Sequence, residues 1–181
     1  PNRKNITQAL AEFQRSLESD GSAPHDMFLN GEDPNAMTAS QQRGRKLFLA
    51  DESKCFDCHF GPDFTGDEFR NIGLYDGQKL LDKGRFDVTK KAEDIGKFKV
   101  PGLRNVALTA PYMHNGMFNT LEEVIDYYSN PYDFVKKPIN MDSVMLKPVN
   151  FTPEEKTDLV NFLHSLTDAE IPYINRKVTQ K

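Results

Sequence analysis

Residues 55–59 read Cys55-Phe56-Asp57-Cys58-His59, a C-x-x-C-H pentapeptide, and its cysteines are the only two among 181 residues. Two thiols at this spacing can form thioether bonds to the vinyl groups of one haem, while the histidine that follows is placed to ligate its iron. A chain so built must fold around a rigid apolar plate, and no cysteine is left over for a disulfide framework. Two other readings of the pentapeptide are weaker. A zinc site needs two more ligands, and His25, His114 and His164 show no paired ligand spacing. A thiol redox pair belongs beside a strand–helix unit, and none is legible here. One covalent haem c is therefore the cofactor expected.

The hydrophobic fraction of 38% is low for a chain of this length, which is consistent with a macrocycle supplying apolar volume that side chains would otherwise provide. Lys and Arg total 23 against 27 Asp and Glu, a net charge of −4 with the signs interspersed. That balance argues against nucleic acid as a partner. No apolar run reaches the length of a membrane span and no charged-then-apolar leader opens the chain, so it reads as soluble. Because haem is attached covalently outside the bacterial cytoplasm, the expected location is periplasmic or otherwise extracytoplasmic. A signal peptide is then required, and a chain opening on Pro1 reads as a processed product or fragment with more protein upstream.

Helical periodicity places a first helix over 5–19, with Ile6, Ala9, Leu10, Phe13 and Leu17 along one face. A turn-rich stretch with Gly21, Pro24, Gly31 and Pro34 follows, so residues 1–37 read as a connector helix and linker. Thr38 with Gln41 forms a capping box that opens a helix through Gly44, Leu47, Phe48 and Leu49. After the haem motif, residues 60–99 are rich in Gly, Asp and Lys and weakly periodic, so they read as a long loop wrapping the cofactor. Thr120 pairs with Glu123 to cap a helix reaching Ser129. Thr152, Pro153 and Glu155 open the last helix, whose apolar residues are Leu159, Val160, Phe162, Leu163 and Leu166. No segment shows convincing strand alternation. The expected fold is all-α: a class I cytochrome c-like helical domain over 38–168 with long haem-wrapping loops, followed by a tail at 169–181. Gly44 and Phe48 resemble that fold's glycine and aromatic, where the helix before the motif crosses the C-terminal helix.

With His59 as proximal ligand, the sixth iron position remains to be filled. Met113, Met117, Met141 and Met145 all lie downstream, and each could equally be a core side chain. Tyr128 competes with them. It shares an i, i+3, i+4, i+7 stripe with Leu121, Val124 and Ile125, whereas Tyr127 is rotated about 100° away. Its plain alternative is a core aromatic whose hydroxyl finds a hydrogen bond.

The run GKFKVPGLRNVALTAPYMHNG over 96–116, followed by Thr120-Leu121-Glu122-Glu123, closely resembles the bacterial di-haem cytochrome c peroxidase and MauG family. The stretches 11–17, 61–74, 84–86 and 159–167 fit the same family in order. Members carry two haem domains, and this chain resembles the C-terminal, electron-transferring one. The resemblance thus implies a peroxide-reducing haem in an N-terminal domain that this chain lacks. It also implies cytochrome c peroxidase-like activity for the full-length protein but not for this fragment alone. The sixth-ligand position, counted from His114, falls on Tyr128. The peroxidase branch has methionine there and MauG has tyrosine, with Met113 as the alternative in this chain. A thioether favours reduced iron, whereas a phenolate is a hard donor favouring the oxidised state.

The resemblance further implies haem-propionate or inter-haem contacts for Arg104, Tyr112 and His114, and calcium bound through the backbone carbonyls of Thr109 and Pro111. For Arg104 the plain alternative is an arginine that pins a loop. Asp63, Asp67, Asp76 and Asp82 read as solvated loop charges, and His25 and His164 carry no assigned role. Implied partners are the second haem domain, a small electron-donor protein or a protein substrate, and a second copy in a homodimer. The competing reading is a stand-alone mono-haem c-type electron carrier, against which the connector helix argues.

Overall fold

Three helices begin where their capping boxes place them. In the computed structural model, which describes residues 2–169, Thr38, Thr120 and Thr152 each accept a hydrogen bond from the backbone N–H three residues on. The side chains of Gln41, Glu123 and Glu155 return the contact. They open α3 (Ala39–Phe48), α5 (Leu121–Ser129) and α6 (Pro153–His164). Ahead of these lie α1 (Arg3–Arg15) and α2 (Pro24–Leu29). α4 (Phe86–Thr89) is a single turn inside the long loop.

The crossing of α3 and α6 is the structural centre. A Cβ on Gly44 would lie 1.9 Å from the Asp158 carbonyl oxygen and 2.8 Å from Phe162 Cβ, so only glycine permits the approach. Phe48 then packs its ring 5.1 Å from Phe162. Around this pair Met37, Phe64, Leu121, Ile125, Phe151, Leu159, Val160, Leu163 and Leu166 complete a buried cluster. Truncating a core aromatic such as Phe162 costs about 3–5 kcal/mol. At the solvent edge of the crossing, Arg43 grips the buried Asp158 with Nε and Nη2 at 2.7 and 2.8 Å, and Ser40 Oγ donates to the same carboxylate.

Three expectations need correction or refinement. The turn-rich stretch before α3 is not a free linker: Ala23, His25 and Met37 are buried, and the His25 N–H donates to the Ser165 carbonyl at 3.0 Å. α1, by contrast, buries none of its residues. The helical class holds with little strand, the one departure among the described residues being that β1 (Phe69–Arg70) pairs antiparallel with β2 (Phe98–Lys99), Phe69 opposite Lys99. Two residues per strand are too few to leave an alternation in the sequence. Finally, α5 buries more than one stripe. Tyr127 is fully buried and donates to the Ile72 carbonyl at 2.6 Å, while Tyr128 is only partly buried. Most of the tail expected at 169–181 lies outside the described residues.

The segment between the haem motif and α5 is held by polar side chains where helices are missing. Asn71, 1% exposed, donates to the Ile95 and Ile139 carbonyls and accepts from Gly73 N–H. It thereby closes three loop passages onto one point. Asp76 accepts from three successive N–H groups, Gln78, Lys79 and Leu80. These bonds hold its carboxyl below the usual range against a smaller opposing effect of burial, so it is a turn former rather than a free charge.

Candidate haem site

The C-x-x-C-H pentapeptide follows α3 after the short segment 49–54. Ser53 Oγ donates back to the Phe48 and Ala50 carbonyls, and Lys54 takes a left-handed φ of +61 that turns the chain out of the helix. Within the motif, the Cys58 and His59 N–H groups both donate to the Cys55 carbonyl, at 3.3 and 3.0 Å. A single turn thus holds both thiols and the imidazole together. Both thiols are partly buried, and burial pushes each up to about 11, so they stand protonated at neutral pH.

His59 Nδ1 lies 2.9 Å from the Phe64 carbonyl. Burial lowers the imidazole pKa, opposed by the Phe64 and Pro101 carbonyls. The ring is therefore neutral, with Nδ1–H donating and Nε2 left as the available metal donor.

Facing the motif is a second apolar cluster around α5. Leu74, Phe118, Tyr127 and Val135 are its buried members, while Ile72, Leu80, Tyr112, Met113, Met117, Val124, Tyr128 and Met145 are only partly buried. Tyr128 is near enough to Cys58 and Cys55 for both to act on its hydroxyl, whose pKa is raised first by burial and then by those two thiols. Two thiols and an imidazole on one wall, with incompletely buried apolar side chains and a tyrosine hydroxyl on the other, fit a covalently held haem. Among the described residues no group of three or more His, Cys, Asp and Glu side chains could hold a metal ion.

The structure brings some sequence candidates together and separates others. Cys55, Cys58, His59 and Tyr128 share one site, and Met113, Met117 and Met145 stay within the Tyr128 cluster. Met141 instead packs over Gly73. Tyr112 spends its hydroxyl on the Val106 carbonyl at 3.0 Å. His114 is exposed and stacks on Phe98 with ring centroids 3.7 Å apart. Thr109 and Pro111 are exposed on the turn before α5, and Thr109 Oγ1 donates to Val106.

Arg104 is engaged by a carboxylate and a loop carbonyl. Its Nη1 and Nη2 bind the Asp26 carboxylate at 2.5 and 3.1 Å, and its Nε donates to the Pro62 carbonyl at 2.9 Å. These contacts tie the loop at Pro62 to α2. His25, assigned no role from sequence, is buried with Nδ1 3.0 Å from Asp26 Oδ1. The adjacent carboxylate in the sequence was the available hint. His164 is exposed.

A family model described as cytochrome c matches residues 41–167. Over 179 residues the chain is 38% identical to a cytochrome c peroxidase, Ccp, of Escherichia coli K12, covering 96% of this chain and 35% of that protein. It is likewise 38% identical over 163 residues to the methylamine utilization protein MauG of Methylorubrum extorquens, covering 90% and 44%. The chain thus spans between about a third and a half of these curated relatives. Among solved structures, a MauG-like protein associated with microbial copper homeostasis superimposes with a TM-score of 0.73 at 34% identity, over 83% of this chain and 49% of that one. The diheme peroxidase BthA of Burkholderia thailandensis matches with a TM-score of 0.70 at 25% identity, over 83% and 47%.

Proposed function

The chain belongs to the cytochrome c family, and to its bacterial di-haem peroxidase and MauG branch; from that membership we propose that it is the electron-transfer haem c domain of a di-haem oxidoreductase. In a longer protein it would pass electrons to a second, peroxide-reducing haem carried by an N-terminal domain. The observation that carries this reading is the pairing of one C-x-x-C-H turn with the Tyr128 wall, in a chain similar to such enzymes over more than nine-tenths of its length.

In this reading Cys55 and Cys58 would hold the haem covalently, and His59 Nε2 and Tyr128 would ligate its iron, with Met113 as the alternative to Tyr128. The haem supplies a one-electron couple. The protein's own residues supply the environment: the Phe64 carbonyl orients the imidazole, and the cluster of Leu74, Phe118 and Tyr127 excludes water. Burial raises the Tyr128 pKa, and a phenolate donor there would favour oxidised iron and a low potential. Tyr112, His114 and Arg104 would lie toward the propionates or the second haem, with Arg104 shared with Asp26. Calcium would be held by the Thr109 and Pro111 carbonyls with a further ligand from the N-terminal domain. The setting is periplasmic, and electrons come from a small donor protein or leave a protein substrate.

The test has two arms. Tyr128→Phe in the haem-loaded protein changes the ferric low-spin electron paramagnetic resonance signal, and an unchanged signal removes Tyr128 as ligand. The chain alone, reduced and mixed with hydrogen peroxide, shows no catalytic turnover, whereas the longer protein does. Sustained turnover by the chain alone contradicts the assignment.

A further inference from the structure

In the loop after the haem motif Phe64, Asp67 and Lys90 take a left-handed φ, and Phe64 is the one that is both bulky and buried. Phe64 has φ +54, the left-handed region in which a bulky residue is an outlier. Such a conformation persists only when the surroundings over-determine it, and it clusters at functional sites. Here the Phe64 N–H donates to the Gly61 carbonyl at 3.2 Å, and its own carbonyl accepts from His59 Nδ1 at 2.9 Å. Its ring, 5% exposed, is met edge-on by His25 at 5.3 Å, Phe48 at 5.9 Å and Phe162 at 6.1 Å.

His25 is the member of that set with a second set of connections. Burial holds its imidazole below the ordinary pKa against the pull of Asp26, so the neutral ring donates Nδ1–H to the Asp26 carboxylate. Asp26 grips Arg104 through both terminal nitrogens, and Arg104 Nε returns to the Pro62 carbonyl, two residues before Phe64. The circuit closes on the loop it started from. Its far end is anchored by the His25 N–H on the Ser165 carbonyl beyond α6.

We propose that Phe64 is the positioning residue of the haem ligand His59, and that buried His25, with Asp26 and Arg104, is the brace that keeps Phe64 left-handed. This rests on the reading that His59 ligates iron. A carbonyl on Nδ1–H fixes the tautomer and makes the imidazole a stronger donor, which favours oxidised iron and lowers the potential. Releasing the brace lets Phe64 relax, lengthens that hydrogen bond and raises the potential. Because the Pro101 carbonyl also acts on His59, the effect is graded rather than complete.

The experiment compares haem-loaded wild type, His25→Ala, His25→Phe and Phe64→Leu by redox titration and ferric electron paramagnetic resonance. Val88→Ala, at a residue 87% exposed, is the control. His25→Ala and Phe64→Leu shift the midpoint upward and move the g values. His25→Phe, which restores an edge-on ring while Asp26 keeps Arg104, returns both toward wild type. A His25→Ala protein with covalent haem and wild-type midpoint and g values overturns the brace, as does a His25→Phe protein that fails to recover them. If Phe64→Leu does not fold, the His25 pair still decides. A wild type without a histidine-ligated haem would sink the parent reading instead, and is seen before any variant is made.

Discussion

The two apolar clusters of this molecule are built on different principles. Around the α3–α6 crossing, side chains close on one another: Leu159, Phe162 and Leu166 are fully buried, and Gly44 lets the backbones touch. Both clusters carry partly buried apolar neighbours, Tyr112 among those of each, but the first has eleven buried members whereas the one around α5 has only four, Leu74, Phe118, Tyr127 and Val135, against eight partly buried, and the connecting chain is tied by Asn71 and Asp76 rather than by helices. The first cluster is a core that proteins of any function could have. The second is a core short of one component, and the haem is the component whose shape and attachment points fit it. Stability and chemistry are thereby divided between the halves, joined at the motif that leaves α3 and enters the loop.

The largest effect should come from removing that component. Cys55→Ser with Cys58→Ser abolishes covalent haem, read by the haemochrome spectrum, and selectively deprotects the amides of 69–99 in hydrogen exchange while α6 remains protected. Equal loss of protection in α6 would break the contrast, since the crossing would then depend on the haem as well.

Next in size is Gly44→Ala, whose methyl meets the Asp158 backbone. Overpacking at a helix crossing costs about 3 kcal/mol, measured by denaturant unfolding. Molecules that still fold should keep the wild-type haem spectrum.

Smaller again is Asp158→Asn. Asp158 is 7% exposed but Arg43 is 54% exposed, so solvent screening keeps the pair's contribution small. The Arg43 hydrogen bond holds the Asp158 carboxyl below its ordinary pKa, outweighing the opposing effect of burial. That contribution is present above the unfolded carboxylate value, roughly pH 4, and is lost as the pH falls through the lower folded value. The variant should be less stable near neutrality, and its deficit should vanish in acid. A deficit constant down to low pH would show that packing, not charge, links the helices there.

How far each half was legible follows from the range of its interactions. The capping boxes of α3, α5 and α6 span four residues, and the motif spans five, so both are visible in a short window. Gly44 and Phe48 were legible because a missing side chain beside an aromatic is a specific demand of a close crossing. Tyr127 misled because a helical stripe assumes one buried face, whereas α5 sends Leu121 and Ile125 to one cluster and Tyr127 to the other. Arg104 finds Asp26 across 78 positions, and Asn71 finds Ile139 across 68. No local pattern encodes such partners.

By itself, then, the order of amino acids determined the C-x-x-C-H turn, the helix starts and the permissive glycine at their crossing, because each is written in residues a few positions apart. Only the tertiary structure decided that Arg104 pins Asp26, that His25 stands behind Phe64, and that Tyr127 is fully buried with its hydroxyl on the Ile72 carbonyl. Those outcomes depend on which distant segments meet, and in the loop-wrapped half that is settled by polar bonds closing chain passages dozens of residues apart.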